Sequence, residues 1–257
     1  MSQLANAETR RIATAVDWPC ELKTLFRENN LGTRYGITTA IDWFFAQEEA
    51  GIVLEDDCLP DPSFFPYCAE LLSYYADDRR IMAISGNTYR DAAADEPDSY
   101  AFSRYPFVWG WATWRRAWQL FDAEMKSWPE ARRAGVLKAW SDGEPEFERY
   151  WSRRFDIVAA HGVEAWDFVW VFSCWMNNGL ACIPNRNLVS NIGFGSEATH
   201  TSDPCNPLAR RRTYAIELPL HHPRFVVRNA DADRQMQYDV YSRRRSLLRR
   251  LLRLARR

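Results

Sequence analysis

Gly51–Asp57 reads GIVLEDD and runs directly into Cys58–Phe65, CLPDPSFF. Short apolar runs bounded by turn signals read as buried strands, so Ile52–Leu54 is predicted to be a central strand. In open α/β sheets ligands bind outside the carboxyl ends of the strands. Glu55, Asp56 and Asp57 emerge at such an end. Adjacent carboxylates repel one another unless they are solvated or neutralised. Two readings follow. A divalent cation carrying a diphosphate would supply the counter-charge, because hard cations choose oxygen ligands and bind substrate phosphates. Alternatively, the acids simply favour the start of a helix near Asp61.

Around this stretch the front half alternates between helical and strand patterns. Ala7–Val16 reads as a short helix, Glu21–Arg27 (ELKTLFR) as a strand, and Gly32–Ala50 as an amphipathic helix. A helix follows over Ser63–Tyr75, then an apolar strand, Ile81–Ser85, ending at Gly86-Asn87. Such alternation predicts a parallel, doubly wound α/β sheet. The back half differs: Asp91–Asp98 is a polar loop, and Tyr105–Trp118 is dense in Trp. No internal repeat is visible.

A chain of 257 residues can bury a full core as one domain. The net charge of −1 gives no pull toward nucleic acid, which is not expected as a partner. Charge is unevenly spread, since Arg243–Arg257 holds eight Arg and no acid. The first residues lack the apolar core of a signal peptide, and no apolar run reaches the ~20 residues of a membrane span. The six Cys (Cys20, Cys58, Cys68, Cys174, Cys182 and Cys205) are dispersed, as expected of reduced thiols in a cytoplasmic protein.

Several motifs stand in the order found in one family. IVLEDDCLPDPSFFPYCAELLSYYADD resembles the metal strand and following helix of GT-A glycosyltransferases, in particular the N-acetylglucosaminyltransferase I type with its Glu-Asp-Asp. YPFVWGWATWRRAW (Tyr105–Trp118) is similar to the family's Phe-Pro-Gly-Leu-Gly-Trp segment. AWDFVWVFSCW (Ala165–Trp175) resembles its Trp-Asp-Asp-Trp segment, and IPNRNLVSNIGFGSEATH (Ile183–His200) its closing segment. NNLGTRYGITTAID (Asn29–Asp42) is similar to the Asn-X-Gly helix start of related transferases. The resemblance spans Asn29–His200 and implies a Rossmann-like, mostly parallel GT-A sheet with flanking helices. It also implies a strand, a helix and a second strand that nothing before Glu21 supplies. An N-terminally truncated sheet is therefore expected, as a domain over residues 1–241.

The resemblance further implies a metal-dependent, inverting transfer of sugar from a nucleotide-diphosphate-sugar to a glycan or lipid-linked acceptor, in the making of cell-surface polysaccharide. Asp57 would ligate Mn²⁺ or Mg²⁺ through the diphosphate, and Glu55 and Asp56 would face donor hydroxyls. Asp167 would take the acceptor's proton, as a general base must. From the residues alone Asp167 reads equally as a helix N-cap before FVWVFSCWM. His200 is a candidate for the diphosphate or metal, on a Gly-rich closing loop over Gly193–Thr201, or else a surface histidine. Arg34 lies near the nucleotide or is solvated. Trp114 and Trp118 read as core, with Trp109 or Trp111 contacting donor or acceptor. The alternatives are a degenerate, non-catalytic glycan-binding relative and a phosphoryl-transfer protein. The latter needs Lys, which is scarce here.

Ser242–Arg257 reads as a separate basic amphipathic helix, with Leu247, Leu248, Leu251, Leu252 and Ala255 on one face. Such a helix can lie on an anionic inner-membrane surface, or be solvated or docked on protein.

Overall fold

Helices and strands alternate as the periodicity predicts, but the strands assemble differently. In a computed structural model of the chain, residues 3–89, 96–161, 165–194 and 209–241 are described. Helix α1 (Gln3–Thr14) is followed by α2 (Gly32–Phe45), β1 (Ala50–Val53), β2 (Cys58–Pro60), α3 (Phe64–Tyr74) and β3 (Ile81–Ser85). Then come β4 (Tyr100–Ser103), β5 (Trp111–Trp114), a single-turn α4 (Arg115–Trp118) and α5 (Trp128–Arg133). The remaining elements are α6 (Pro145–His161), α7 (Trp166–Met176), β6 (Leu180–Pro184), β7 (Val189–Asn191) and α8 (Ala230–Met236). The last continues as a π-helical turn over Gln237–Tyr241.

Five strands form one sheet in the order β1-β5-β3-β6-β4, and β2 pairs with β7 in a separate antiparallel ribbon. The mostly parallel sheet expected from the sequence is corrected to a mixed one. Among the described strands β3 and β6 pair in parallel, while β1–β5, β3–β5 and β4–β6 are antiparallel. The cause is β5, which returns between β1 and β3. Both run opposite to β5 and therefore point the same way as each other, and β6 runs with β3. Their carboxyl ends consequently share one edge of the sheet. The predicted central strand is an edge strand: no described strand pairs with the outer side of β1. Glu21–Arg27 forms no strand.

Both faces of the sheet are covered. On one, α3 packs Phe64, Tyr67 and Leu71 against Ile84, Ala112, Trp114 and Cys182. On the other, Met82, Ala83, Trp111 and Ala181 meet Ile41 and Phe45 of α2 and Trp166, Val169 and Trp170 of α7. The ring of Trp111 lies 5.5 Å from Trp170, 6.0 Å from Trp166 and 6.2 Å from Trp118. Coverage on two faces explains why the strands read as unbroken apolar runs.

Cys20, Cys58, Cys68, Cys174 and Cys182 are free thiols. Among the described residues no helix is long and apolar enough to cross a membrane. The expected basic helix over Ser242–Arg257, and His200 with most of its loop, lie outside the described residues.

Trp111 is fully buried at the junction of β5 with α7. Trp111→Ala is expected to cost about 3–5 kcal/mol of unfolding free energy, as large-to-small aromatic core changes do. Trp111→Phe should cost less, because a ring remains to fill the site. Urea unfolding of the two variants checks the order; equal, small losses would mean that the cluster is not the core of the fold.

Candidate functional site

Backbone hydrogen bonds stitch the carboxyl edge of the sheet together. The Gly86 amide, just past β3, donates to the Gly110 carbonyl at 2.7 Å, and the Gly86 carbonyl accepts from the Leu188 amide at 2.9 Å. A Cβ at Gly86 would lie 2.7 Å from the Gly110 oxygen and 2.5 Å from the Phe64 ring, so only glycine permits this junction. Beside it, the Cys58 amide closes a turn onto the Glu55 carbonyl at 3.0 Å. The Ile192 amide, just past β7, donates to the Asp57 carbonyl at 2.8 Å. The end of β1 is thereby held under the β2–β7 ribbon.

Glu55 and Asp57 are half-buried in this frame and Asp56 is exposed. Burial, and then the charges of Asp57, Asp167 and Asp56, push the Glu55 carboxyl up to about 7. Asp167, remote in sequence, thus belongs to the same group of carboxylates. It stands in the first turn of α7, behind Ala165 at the N-cap position, so it is not the cap. A first-turn acid is still favoured by the helix dipole. The same Asp167 charge acts on Tyr89, Tyr150 and Tyr241, whose hydroxyls are held protonated chiefly by burial. Asp167 therefore lies within electrostatic reach of both the acids and these tyrosines.

Asp57 is closely framed by its neighbours. The Cys58 thiol donates to its Oδ1 at 3.6 Å, and burial pushes that thiol up to about 12. Gly193 passes over the carboxylate: a Cβ there would lie 2.2 Å from Asp57 Oδ2, so glycine leaves that oxygen its space. Among the described residues no three His, Cys, Asp or Glu side chains form a metal cage. An ion held by one or two carboxylates, water and substrate phosphates needs no such cage. The residues present fit an ion of that kind.

The other sequence candidates separate. Trp111 is fully buried, which corrects its assignment as a ligand contact: its ring packs between α7 and the sheet. Trp114 and Trp118 are core, as read. Trp109 is half-buried, with its ring edge-on to Tyr89 at 5.8 Å and Phe194 at 5.6 Å. It borders the acid group's neighbours and remains a candidate contact. Arg34 is buried and donates to the Ala123 carbonyl, tying α2 to the loop after α4.

Sequence reading missed Arg211, Tyr89, Tyr150 and Tyr241. Arg211 is half-buried and its charge acts on Tyr89 beside Asp167. Its segment is fixed over β7 by hydrogen bonds from the Arg210 amide to Asn191 O at 3.0 Å and from Asn187 Nδ2 to Arg212 O at 3.2 Å. No local pattern marks these residues, because each comes from a different part of the chain.

The raised Glu55 carboxyl makes stability depend on pH in metal-free protein. Its ordinary value is 4.5 and its folded value about 7, so between these the native state binds the extra proton. The Glu55 contribution is complete below about pH 4.5, falls as pH rises to about 7, and levels off above, by about 3 kcal/mol. Urea midpoints in EDTA should follow this slope, and Glu55→Gln should flatten it. An unchanged slope in the variant would remove Glu55 as its source.

Comparison of the chain with protein-family models and with curated proteins gives no match, so the functional argument rests on these residues.

Proposed function

We propose that the chain is a glycosyltransferase of the GT-A type, moving a sugar from a nucleotide-diphosphate-sugar to a hydroxyl of a glycan or lipid-linked acceptor with inversion. The observation that carries this is the meeting of Glu55, Asp56 and Asp57 with Asp167 at the edge where three like-directed strands end. That edge is where α/β sheets bind ligands. The motif order from Asn29 to His200 supports the same reading.

The chemistry needs two separated tasks, and the residues divide between them. Asp167, in the first turn of α7, takes the proton of the acceptor hydroxyl. That oxygen bonds to the anomeric carbon as the bond from this carbon to the diphosphate oxygen breaks. The leaving diphosphate carries away the electron pair, and its negative charge must be offset. Asp57 would hold the Mn²⁺ or Mg²⁺, which supplies Lewis-acid stabilisation of that charge when bound. Arg211, whose charge acts on Tyr89, would add a positive charge to the site. Glu55, protonated to about pH 7 in metal-free protein, can donate a hydrogen bond to the donor, and the exposed Asp56 can accept one. Trp109 offers a half-buried ring at the margin.

Phosphoryl transfer fits less well. Ser85, at the end of the next co-directional strand, is fully buried with its hydroxyl donating to the Phe107 carbonyl at 2.9 Å. It is not presented to a phosphate.

Two experiments test the proposal. Binding of nucleotide-sugars with Mn²⁺, followed by donor hydrolysis, separates an enzyme from a non-catalytic glycan-binding relative. Asp57→Asn should abolish metal-dependent donor binding, and wild-type activity in chelator would exclude the metal role. Asp167→Asn should keep donor binding and lose about 10²–10⁴-fold in turnover. Arg211→Gln should lower turnover less, by about tenfold, the scale of one weakened charge contact. A fully active Asp167→Asn would overturn the assignment of the base.

A further inference from the structure

The chain builds a cavity of about 810 Å³ between α6 and the segment from α8 to Tyr241. This is the size of a small-ligand site. Its walls are anchored. Asp233 of α8 is fully buried and accepts hydrogen bonds from Ser103 Oγ, from the Arg104 amide at 3.1 Å and from Arg228 at 3.1 Å, which ties α8 to β4. The Asn229 side chain caps α8 by accepting from the Ala232 amide at 3.0 Å. Gln237 Oε1 accepts from the Tyr105 hydroxyl at 2.8 Å and from Trp151 Nε1 of α6 at 2.9 Å. The turn so fixed is π-helical, a geometry concentrated at functional sites.

The lining combines aromatic and cationic groups. Tyr150, Tyr238 and Tyr241 border the cavity, with the rings of Tyr150 and Tyr241 5.6 Å apart. Arg154 of the lining lies over the ring of Phe168, the residue after Asp167, at 5.3 Å, so the cavity reaches the first turn of α7. Arg149 and Arg153, one turn apart on the exposed face of α6, have no hydrogen bond or ion pair among the described residues. By contrast, Arg234 is paired with Asp231 at 3.3 Å, and Arg154 donates to the Tyr150 hydroxyl at 3.2 Å. Glu144 and Glu146 also line the cavity, which leaves one net positive charge on its lining. The sequence after Tyr241 adds eight Arg and no acid over Arg243–Arg257.

We propose that this cavity is the acceptor site and that the acceptor carries a phosphate group, held by Arg149 and Arg153 while its sugar lies against the tyrosines and its hydroxyl meets Asp167. The inference rests on the transferase reading above. Guanidinium forks match phosphate oxygens in pairs, and two unpaired ones at i, i+4 form such a clamp. The tyrosine rings give an apolar surface with polar tips, suited to a sugar ring.

The test is calorimetric binding in EDTA, so that no ion at Asp57 can collect phosphate. The probes are glucose 1-phosphate, farnesyl diphosphate and the neutral methyl glucoside, titrated into wild type and the R149E/R153E double variant. Both substitutions are at exposed positions, and a matched thermal unfolding curve checks the fold. Wild type should bind a phosphate-bearing probe at least about tenfold more tightly than methyl glucoside, and the double variant should lose that margin. Preference for the farnesyl probe assigns a lipid-linked acceptor, and preference for glucose 1-phosphate a soluble one. Equal binding by both proteins, or no binding of either phosphate probe, overturns the inference. Nucleotide-sugar binding with Mn²⁺ reports separately on the transferase reading: it should persist in R149E/R153E. Its persistence without phosphate discrimination sinks only the acceptor inference, whereas its absence from wild type sinks the transferase reading.

Discussion

The stacking of indoles between the sheet and α7 is the interaction on which the site depends. Trp111 of β5 is enclosed by Trp118, Trp166 and Trp170, and this contact fixes where the first turn of α7 lies. Asp167 follows Trp166 directly, so the core contact sets the position of the carboxylate. The arrangement has a cost: the indole N–H groups of Trp111 and Trp170 are buried without a hydrogen-bond partner among the described residues. An orphaned donor costs about 1–3 kcal/mol. Burying a Trp removes roughly 150–250 Å² from water, about 4–6 kcal/mol at 25 cal/mol per Å². Packing wins, and the cluster holds.

What the core holds in place is an unfavourable collection of charge. Four carboxylates converge at one edge of the sheet, and the protein meets part of the repulsion by keeping Glu55 protonated well above its ordinary range. The rest of the local design is backbone. Gly86 and Gly193 are each required by close approach, one to the Gly110 carbonyl and one to the Asp57 carboxylate. A fold optimised for stability alone would not gather acids under a ribbon fixed at both ends. Gathering them there makes sense for a site that receives positive charge with its ligand.

Away from the strand ends, tyrosines and arginines stand beside acids in the cavity between α6 and the C-terminal segment. Buried Asp233 and bridging Gln237 anchor that segment to β4 and α6.

Much of this was legible in the sequence, and the failures have definite causes. The apolar runs at Gly51–Val53 and Ile81–Ser85, the helix after Pro62, and the acids at the end of β1 follow from local pattern, because period and turn chemistry are local properties. Strand direction was not legible. An unbroken apolar strand reports that both faces are covered, and α3 on one side and α2 with α7 on the other satisfy that whichever way the neighbours run. The insertion of β5 between β1 and β3 is a long-range choice, and it put β1 at the edge while leaving three strands co-directional. The roles of the tryptophans were likewise divided by tertiary burial: the same spacing placed Trp111 in the core and left Trp109 half-exposed. The sequence by itself determined which residues carry charge and, for β1 and β3, about where the strand ends. Only the tertiary structure decided that Asp167 acts on Glu55 and on Tyr241, and Arg211 on Tyr89, because electrostatic proximity between distant segments is set by packing and has no local signature.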